Sequence, residues 1–162
     1  MKTLMILRHA KAEPIEEGQS DRDRPLAPRG EMDAPRIGRW LKEQQLTPDA
    51  IVSSSAVRAE ATARLVAQAC GYEKPIDLRN ELYLATPATY VQVIREQEDD
   101  AERILVVGHN PTLDELLYSL CGNHDGFPTG GLAVVQLDVA SWEEVRLPTQ
   151  HKLTQFVRGK EL

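Results

Sequence analysis

The sequence predicts an α/β fold, a three-layer α/β/α sandwich with a mostly parallel central sheet. Strand-like and helix-like segments alternate along the chain up to Gly122, an order typical of parallel strands joined by crossover helices. The strand-like segments are short, continuous apolar runs, as in strands that are covered on both faces. The 162 residues, 41% hydrophobic and 27% charged, fit one globular domain that spans residues 1–162.

The first half of the chain contains two strand and helix pairs. Thr3–Leu7 has the pattern of a buried strand, and the polar, charged segment 10–28 after it is long enough to be a functional loop. Ala50–Ser53 predicts the second strand. Val57–Cys70 predicts the helix that follows, because its apolar residues recur on one side and a glycine comes directly after it.

Between these strands, Arg29–Gln45 has the apolar spacing of an amphipathic helix, but Pro35 falls inside it. Proline in a helix interior costs about 3 kcal/mol, because it removes a hydrogen bond and clashes with the preceding turn. Two arrangements therefore remain open. Either the helix is kinked at Pro35, or it begins later, with Asp33 as the N-cap and Pro35 in the first turn.

The second half continues the alternation and then changes. Two further strands, each with a helix after it, precede a closing hairpin of two strands, and a polar tail follows that hairpin. The predicted strands are Ile76–Leu78, Arg103–Val107, Leu132–Asp138 and Trp142–Leu147, and the predicted helices begin at Thr86-Pro87 and Asn110-Pro111.

Composition and charge exclude several classes of protein. A net charge of −6 and a pI near 5.3 have the wrong sign for binding nucleic acid or an anionic membrane, unless one face is locally basic. The longest aliphatic runs, such as Ile104–Val107, are far shorter than the roughly 20 residues of a membrane helix. The N-terminal apolar run ends at Arg8 without a signal-peptide cleavage pattern, so we expect a cytoplasmic protein. Cys70 and Cys121 are expected to be free thiols.

Cationic residues follow three of the predicted strands. Arg8 and His9 come after the first strand, Arg58 just after the second, and His109 after the fourth. In a parallel sheet the carboxyl ends of the strands lie at one edge, where the following helices begin and ligands bind. Because helix N-termini also favour negative charge, the sequence predicts an anion site at this edge.

Two arginines and two histidines suit phosphoryl transfer. Arginine offers a bidentate fork for the phosphoryl oxygens. One histidine can attack phosphorus through one ring nitrogen while a backbone carbonyl holds the other, and a protonated second histidine stabilises the oxygens. Such a site requires no metal and no other cofactor.

Other kinds of site fit the sequence less well. His9 and His109 have the right donor type for a metal, but two neighbouring arginines would repel the cation. The glycine patterns of P-loop and dinucleotide sites are absent. The run Ser53-Ser54-Ser55 lacks the G-x-S-x-G elbow of the α/β-hydrolases. Each cationic residue taken singly also has a structural or surface interpretation.

Three segments resemble the signature motifs of the histidine phosphatase superfamily, also called the phosphoglycerate mutase-like family. The first is Leu7–Ala10 with its Arg-His pair, the second is Ser53–Thr62, and the third is Val106–Pro111 around the second histidine. The short length, Arg24-Pro25-Leu26 and Pro128-Thr129-Gly130 are most similar to the SixA-type phosphohistidine phosphatases.

The resemblance implies roles for particular residues. It implies His9 as the phosphorylated nucleophile, and Arg8, Arg58 and His109 as the phosphate pocket. These are the residues that the charge argument reached independently.

Two further positions match the family less closely. Arg24 matches the Arg-Pro-Leu position and is expected to bind the phosphate or the substrate, or else to be a solvated loop residue. Glu81 lies in the interval where many relatives supply a carboxylic acid to protonate the leaving oxygen, so it is the candidate general acid. A phosphohistidine leaves as imidazole and needs such an acid less than a phosphate ester does.

The length of one connection bears on the size of the substrate. The segment 71–103 holds only a strand and a helix, whereas relatives that act on small phosphometabolites commonly insert a helical lid there. An open pocket fits a phosphorylated protein domain, of the phosphorelay or phosphotransferase-system type, as the substrate. Two alternatives remain open: a small-molecule phosphomonoesterase that uses the same residues, and a non-catalytic phospho-binding module.

Overall fold

One mixed sheet forms the centre of the computed structural model, which describes residues 1–122 and 125–162. The six strands of this sheet stand in the order β3-β2-β4-β1-β5-β6, and the α/β prediction is confirmed. The strands are β1 (Lys2–Arg8), β2 (Ala50–Ser54), β3 (Asp77–Arg79), β4 (Arg103–Gly108), β5 (Gly131–Leu137) and β6 (Lys152–Arg158). The helices are α1 (Pro28–Glu43), α2 (Val57–Cys70), α3 (Pro87–Arg95) and α4 (Thr112–Cys121).

The sheet is mostly parallel, as predicted. Strands β1 to β4 run in one direction, β5 runs antiparallel to β1, and β6 runs antiparallel to β5. The carboxyl ends of β1, β2 and β4 therefore lie side by side at one edge of the sheet. No helix in the described part of the chain is long and apolar enough to cross a membrane.

Alternating side chains of the central strand β1 form two hydrophobic layers. Leu4 and Ile6 join the cluster that includes residues of α3 and α4, whereas Met5 and Leu7 join the cluster that includes residues of α1 and α2. All four are fully buried. Complete burial of such a side chain stabilises the fold by about 1.5–3 kcal/mol, so this strand anchors the residues at its carboxyl end.

Helix α1 settles the two arrangements left open at Pro35. The helix begins at Pro28, where a missing backbone N–H costs nothing, and continues through Pro35 to Glu43. The later start is wrong, because Asp33 lies inside the helix rather than at its N-cap. The carboxylate of Asp33 instead accepts a hydrogen bond from Arg29 Nε at 3.1 Å.

The predicted final strand at Trp142–Leu147 is also wrong. Trp142–Glu144 form a short 3-10 turn, and the buried Trp142 donates a hydrogen bond from Nε1 to the Ala101 carbonyl at 2.8 Å. The last strand is β6, in the segment that the sequence marks as a polar tail. Within the described ranges β6 is an edge strand that pairs with β5 alone, and because it is half exposed it lacks the apolar run of a central strand.

Candidate active site

Residues from separate parts of the chain meet in a hollow at the carboxyl edge of the sheet. Arg8 ends β1 and His9 follows it, Arg58 lies in the first turn of α2, and His109 follows β4. The hollow has a volume of about 290 Å³ and is lined by Arg8, His9, Lys11, Ala12, Arg24, Arg58, His109, Asn110 and Thr129. The four residues expected to form a phosphate pocket are therefore brought together.

Neighbouring strands bring the two histidines together. Strands β1 and β4 are paired, and Arg8 stands opposite Gly108 in their register. The His9 backbone N–H donates to the Gly108 carbonyl at 3.1 Å, which extends the pairing past the end of β1. The ring centroids of His9 and His109 are consequently 5.2 Å apart.

The ring of His9 is held in one tautomer by two contacts. Its Nδ1 is 2.8 Å from the Ala10 carbonyl oxygen, which can only accept, so Nδ1 carries the proton. Its Nε2 accepts a hydrogen bond from Arg58 Nε at 3.3 Å and is therefore unprotonated. Burial and the neighbouring positive groups lower the pKa of His9 to about 3, so this ring is neutral near neutral pH. Nε2 thus carries its lone pair, which is directed at the Arg58 guanidinium group.

Arg58 is a buried cation that is held at both ends of its guanidinium group. Its NH1 donates to the Asp21 carbonyl at 2.8 Å, and its NH2 donates to Asp21 Oδ2 at 3.1 Å. Its backbone carbonyl accepts from the Thr62 hydroxyl, which in turn accepts from the Ala10 N–H at 3.0 Å. The first turns of α2 are therefore tied directly to the residues after β1.

His109 stands beside two hydroxyl groups. Its Nε2 is 2.8 Å from Ser54 Oγ, and its backbone N–H donates to the Tyr90 hydroxyl at 3.2 Å. Burial, with the nearby charge of Arg58, lowers the pKa of His109 to about 4. These surroundings therefore keep His109 neutral near neutral pH, and a phosphoryl group beside it would favour the protonated form that the sequence argument requires.

The hollow has hydrogen-bonding capacity that protein groups do not use. Arg8 donates from NH1 to the Phe127 carbonyl at 2.9 Å, and burial lowers its pKa. Across the described residues, Arg8 Nε and His109 Nδ1 are buried side-chain nitrogens with no hydrogen-bond partner. Within ranges 1–122 and 125–162, no three His, Cys, Asp or Glu side chains are grouped to hold a metal ion. The unused donor and the surrounding positive charge match an anion.

Comparison with known proteins agrees with the motifs. Residues 4–83 match the family model of the histidine phosphatase superfamily (branch 1). The SixA protein of Agrobacterium tumefaciens is 30% identical, and its crystal structure aligns with a TM-score of 0.82 over 96% of this chain and 97% of that one. The chain belongs to the histidine phosphatase superfamily.

Sequence relatives of this histidine phosphatase superfamily member include proteins from several bacteria. An uncharacterized protein of Mycobacterium tuberculosis (strain H37Rv) is 35% identical in an alignment 150 residues long, which covers 86% of this chain and 91% of the relative. The GpmB protein of Citrobacter koseri, a probable phosphoglycerate mutase, is 33% identical over 114 residues. That match covers 67% of this chain and 51% of GpmB.

The two less closely matching candidates occupy different places in this superfamily member. Arg24 lines the hollow, where its Nε donates to the Glu13 carbonyl at 2.8 Å and its NH1 donates to Asp21 Oδ1 at 3.0 Å. Glu81 does not line the hollow, and its exposed carboxylate lies 3.7 Å from Arg79. This geometry gives no support to Glu81 as a general acid.

Sequence reasoning missed two residues beside the pocket. Asp21 binds Arg58, and Tyr83 donates its hydroxyl proton to Asp21 Oδ2 at 2.6 Å. The Tyr83 ring also meets the His109 ring edge-on, with centroids 5.5 Å apart. The charged run Asp21-Arg22-Asp23-Arg24, within the predicted loop 10–28, is the available signal for Asp21. Nothing in the sequence near Tyr83 indicates which strand end it approaches.

Proposed function

We propose that this protein is a phosphohistidine phosphatase that removes phosphate from a phosphorylated histidine of another protein. The observation that carries the proposal is the orientation of His9. The Ala10 carbonyl holds Nδ1, and the unprotonated Nε2 lies 3.3 Å from Arg58 Nε, within a group of positive charges. That arrangement supports an in-line attack on phosphorus.

The first step transfers the phosphoryl group to the enzyme. His9 Nε2 forms a bond to phosphorus while the bond between phosphorus and the substrate nitrogen breaks. The electron pair of that bond leaves with the substrate imidazole, which is neutral because its other nitrogen carries a proton. Arg8, Arg58 and a protonated His109 stabilise the equatorial oxygens, as a metal ion does in other phosphatases.

The second step returns the enzyme to its starting state. A water oxygen forms the new bond to phosphorus, the bond from phosphorus to His9 Nε2 breaks with its electron pair returning to Nε2, and both protons of the water leave with inorganic phosphate. The Ala10 carbonyl keeps Nδ1 protonated throughout, so the same tautomer is restored.

The surroundings of the hollow favour a nitrogen leaving group over an oxygen leaving group. An alkoxide must be protonated as it leaves, and general acid catalysis contributes about 10²–10⁴-fold in rate. Glu81 lies outside the hollow. Hydrogen bonds from Tyr83 and Arg24 hold the pKa of the Asp21 carboxyl well below its usual range, so it has no proton to donate. Imidazole leaves without such help.

The segment between α2 and β4, at the edge of the hollow, supports a protein substrate, such as a phosphorelay or phosphotransferase-system domain. Between α2 and β4 the chain forms only β3, a 3-10 turn and α3, as the prediction of an open pocket requires. Leu84, directly after Tyr83, is 84% exposed and has a left-handed backbone with φ of 55°. An exposed apolar side chain in that strained conformation suits contact with a partner. We further propose that residues 1–162 act as one domain, in the cytoplasm.

A small-molecule phosphomonoesterase is the second candidate, and similarity to GpmB favours it, although only about half of that relative is matched. The two candidates are separated by comparing substrates. One substrate is a histidine-containing protein domain phosphorylated with phosphoramidate, and the other is 3-phosphoglycerate. Phosphate release is measured for the wild type, for His9→Ala, and for His151→Ala as a matched control outside the hollow.

We expect the phosphohistidine protein to be hydrolysed on the order of 100-fold faster than the ester, because among the described residues no carboxylic acid lines the hollow to protonate the ester oxygen. His9→Ala should lose both activities, and His151→Ala should keep them. A preference for the ester would favour the small-molecule enzyme. Substrate binding without any turnover by the wild type would favour a phospho-binding module.

A further inference from the structure

Asp21 connects three groups at the edge of the hollow. One carboxylate oxygen accepts from Arg58 NH2 at 3.1 Å and from the Tyr83 hydroxyl at 2.6 Å. The other oxygen accepts from Arg24 NH1 at 3.0 Å. The Asp21 backbone carbonyl adds a bond to Arg58 NH1 at 2.8 Å. Asp21 therefore fixes both arginines and the aromatic ring that touches His109.

The Asp21 carboxylate also places negative charge beside an anion pocket. Arg58 binds His9 through Nε and Asp21 through NH2, so only the width of one guanidinium group separates the carboxylate from the nucleophilic nitrogen. A bound phosphoryl group and Asp21 must share the positive charge of Arg58. Because the Asp21 side chain is 43% exposed, water weakens this repulsion without removing it.

We propose that Asp21 is a positioning residue that also determines anion selectivity: it holds Arg58 against His9 and disfavours substrates with a second negative charge next to the phosphoryl group. This inference rests on the proposed phosphoryl transfer at His9 and names the class of substrate that the site takes. A phosphohistidine has an uncharged leaving group, which the Asp21 carboxylate does not repel. A phosphorylated small acid brings a carboxylate close to it and is repelled.

Two substitutions separate the positioning effect from the charge effect. Asp21→Asn removes the charge but keeps an oxygen that accepts from Arg58 and Tyr83. Asp21→Ala removes the same charge and all side-chain contacts. Tyr83→Phe is the matched control, because it removes one hydrogen bond to Asp21 without a change of charge.

The measurements are kcat and KM for phosphoramidate and for 3-phosphoglycerate, together with the Kd of orthovanadate. Both Asp21 variants should raise kcat/KM for 3-phosphoglycerate relative to phosphoramidate by about three- to tenfold, the range expected for one charge that is partly screened by solvent. Asp21→Asn should lower the Kd of vanadate by a similar factor. Asp21→Ala should lower kcat for phosphoramidate about tenfold or more, and Asp21→Asn should restore most of that loss. Tyr83→Phe should leave the substrate ratio unchanged.

An unchanged substrate ratio and vanadate Kd in Asp21→Asn would overturn the selectivity role. An equal kcat in Asp21→Ala and the wild type would overturn the positioning role. Circular dichroism identifies any variant that has not folded, and if Asp21→Ala has not folded, Asp21→Asn provides the test. Failure of the wild type to hydrolyse either substrate would instead contradict the proposed function, while the vanadate comparison would still test Asp21.

Discussion

The two histidines in the hollow make folding stability depend on pH. Burial, aided by nearby positive charge, lowers the pKa of His9 to about 3 and that of His109 to about 4, from an ordinary value of 6.5. As the pH falls below 6.5, the unfolded chain protonates both rings and the folded protein does not. The unfolded state then binds more protons, so stability decreases until the pH reaches the folded-state values.

The size of this effect follows from the two shifts. In the pH interval between a group's pKa in the folded protein and its pKa in the unfolded chain, each pH unit changes the free energy of unfolding by about 1.4 kcal/mol. As the pH falls from about 7.5 to about 5, each histidine should therefore lower the free energy of unfolding by about 2 kcal/mol, and the pair by about 4 kcal/mol. Asp21 contributes nothing to this change, because its lowered pKa matters only below its ordinary value of 3.8.

Urea denaturation at a series of pH values tests this prediction, with a constant slope m as the check for two-state unfolding. His109→Asn should remove about half of the loss of stability. His151→Asn, a substitution of a partly exposed histidine outside the hollow, should remove much less. Two results would refute the assignment of two buried neutral histidines. One is a wild-type free energy of unfolding that stays constant from about pH 7.5 to about pH 5, and the other is a dependence of that free energy on pH that is the same in His109→Asn as in the wild type.

Three further predictions concern activity. Arg58→Ala and His109→Ala should each lower kcat by a factor of about 10²–10³, as expected for the loss of one contact to a developing oxyanion. Each substitution should lower the free energy of unfolding by at most about 3 kcal/mol, so assays well below Tm report the chemical step. EDTA should leave the rate unchanged and vanadate should inhibit; activity lost in EDTA and restored by zinc would favour a metal mechanism instead. Leu84→Asp should raise KM several-fold for a phosphohistidine protein and leave KM for phosphoramidate unchanged, and equal effects on both would exclude a docking role.

Much of the fold follows from local sequence patterns. Continuous apolar runs such as Thr3–Leu7 identify central strands, because both faces of these strands are covered by helices. Edge elements are harder to identify. Strand β6 is half exposed, and Trp142 is buried in a turn that a pattern of apolar residues does not distinguish from a strand.

The candidate site was predictable where chain topology dictates position. Arg8 ends β1, His9 follows it and His109 follows the adjacent parallel strand β4, so the proximity of these residues follows from the order of strands. Asp21 and Tyr83 reach the pocket from loops, and loop geometry depends on contacts far apart in sequence. Their mutual hydrogen bond spans 62 residues, which no local pattern encodes.

The central claim is that His9 carries the phosphoryl group during turnover. Rapid quenching at alkaline pH with a ³²P-labelled phosphohistidine protein, followed by peptide mapping, tests it most directly. We expect label on His9 that is stable to alkali and labile to acid, and no label in His9→Ala. Label on a serine or a carboxylate, or turnover by His9→Ala at the wild-type rate, would contradict the mechanism.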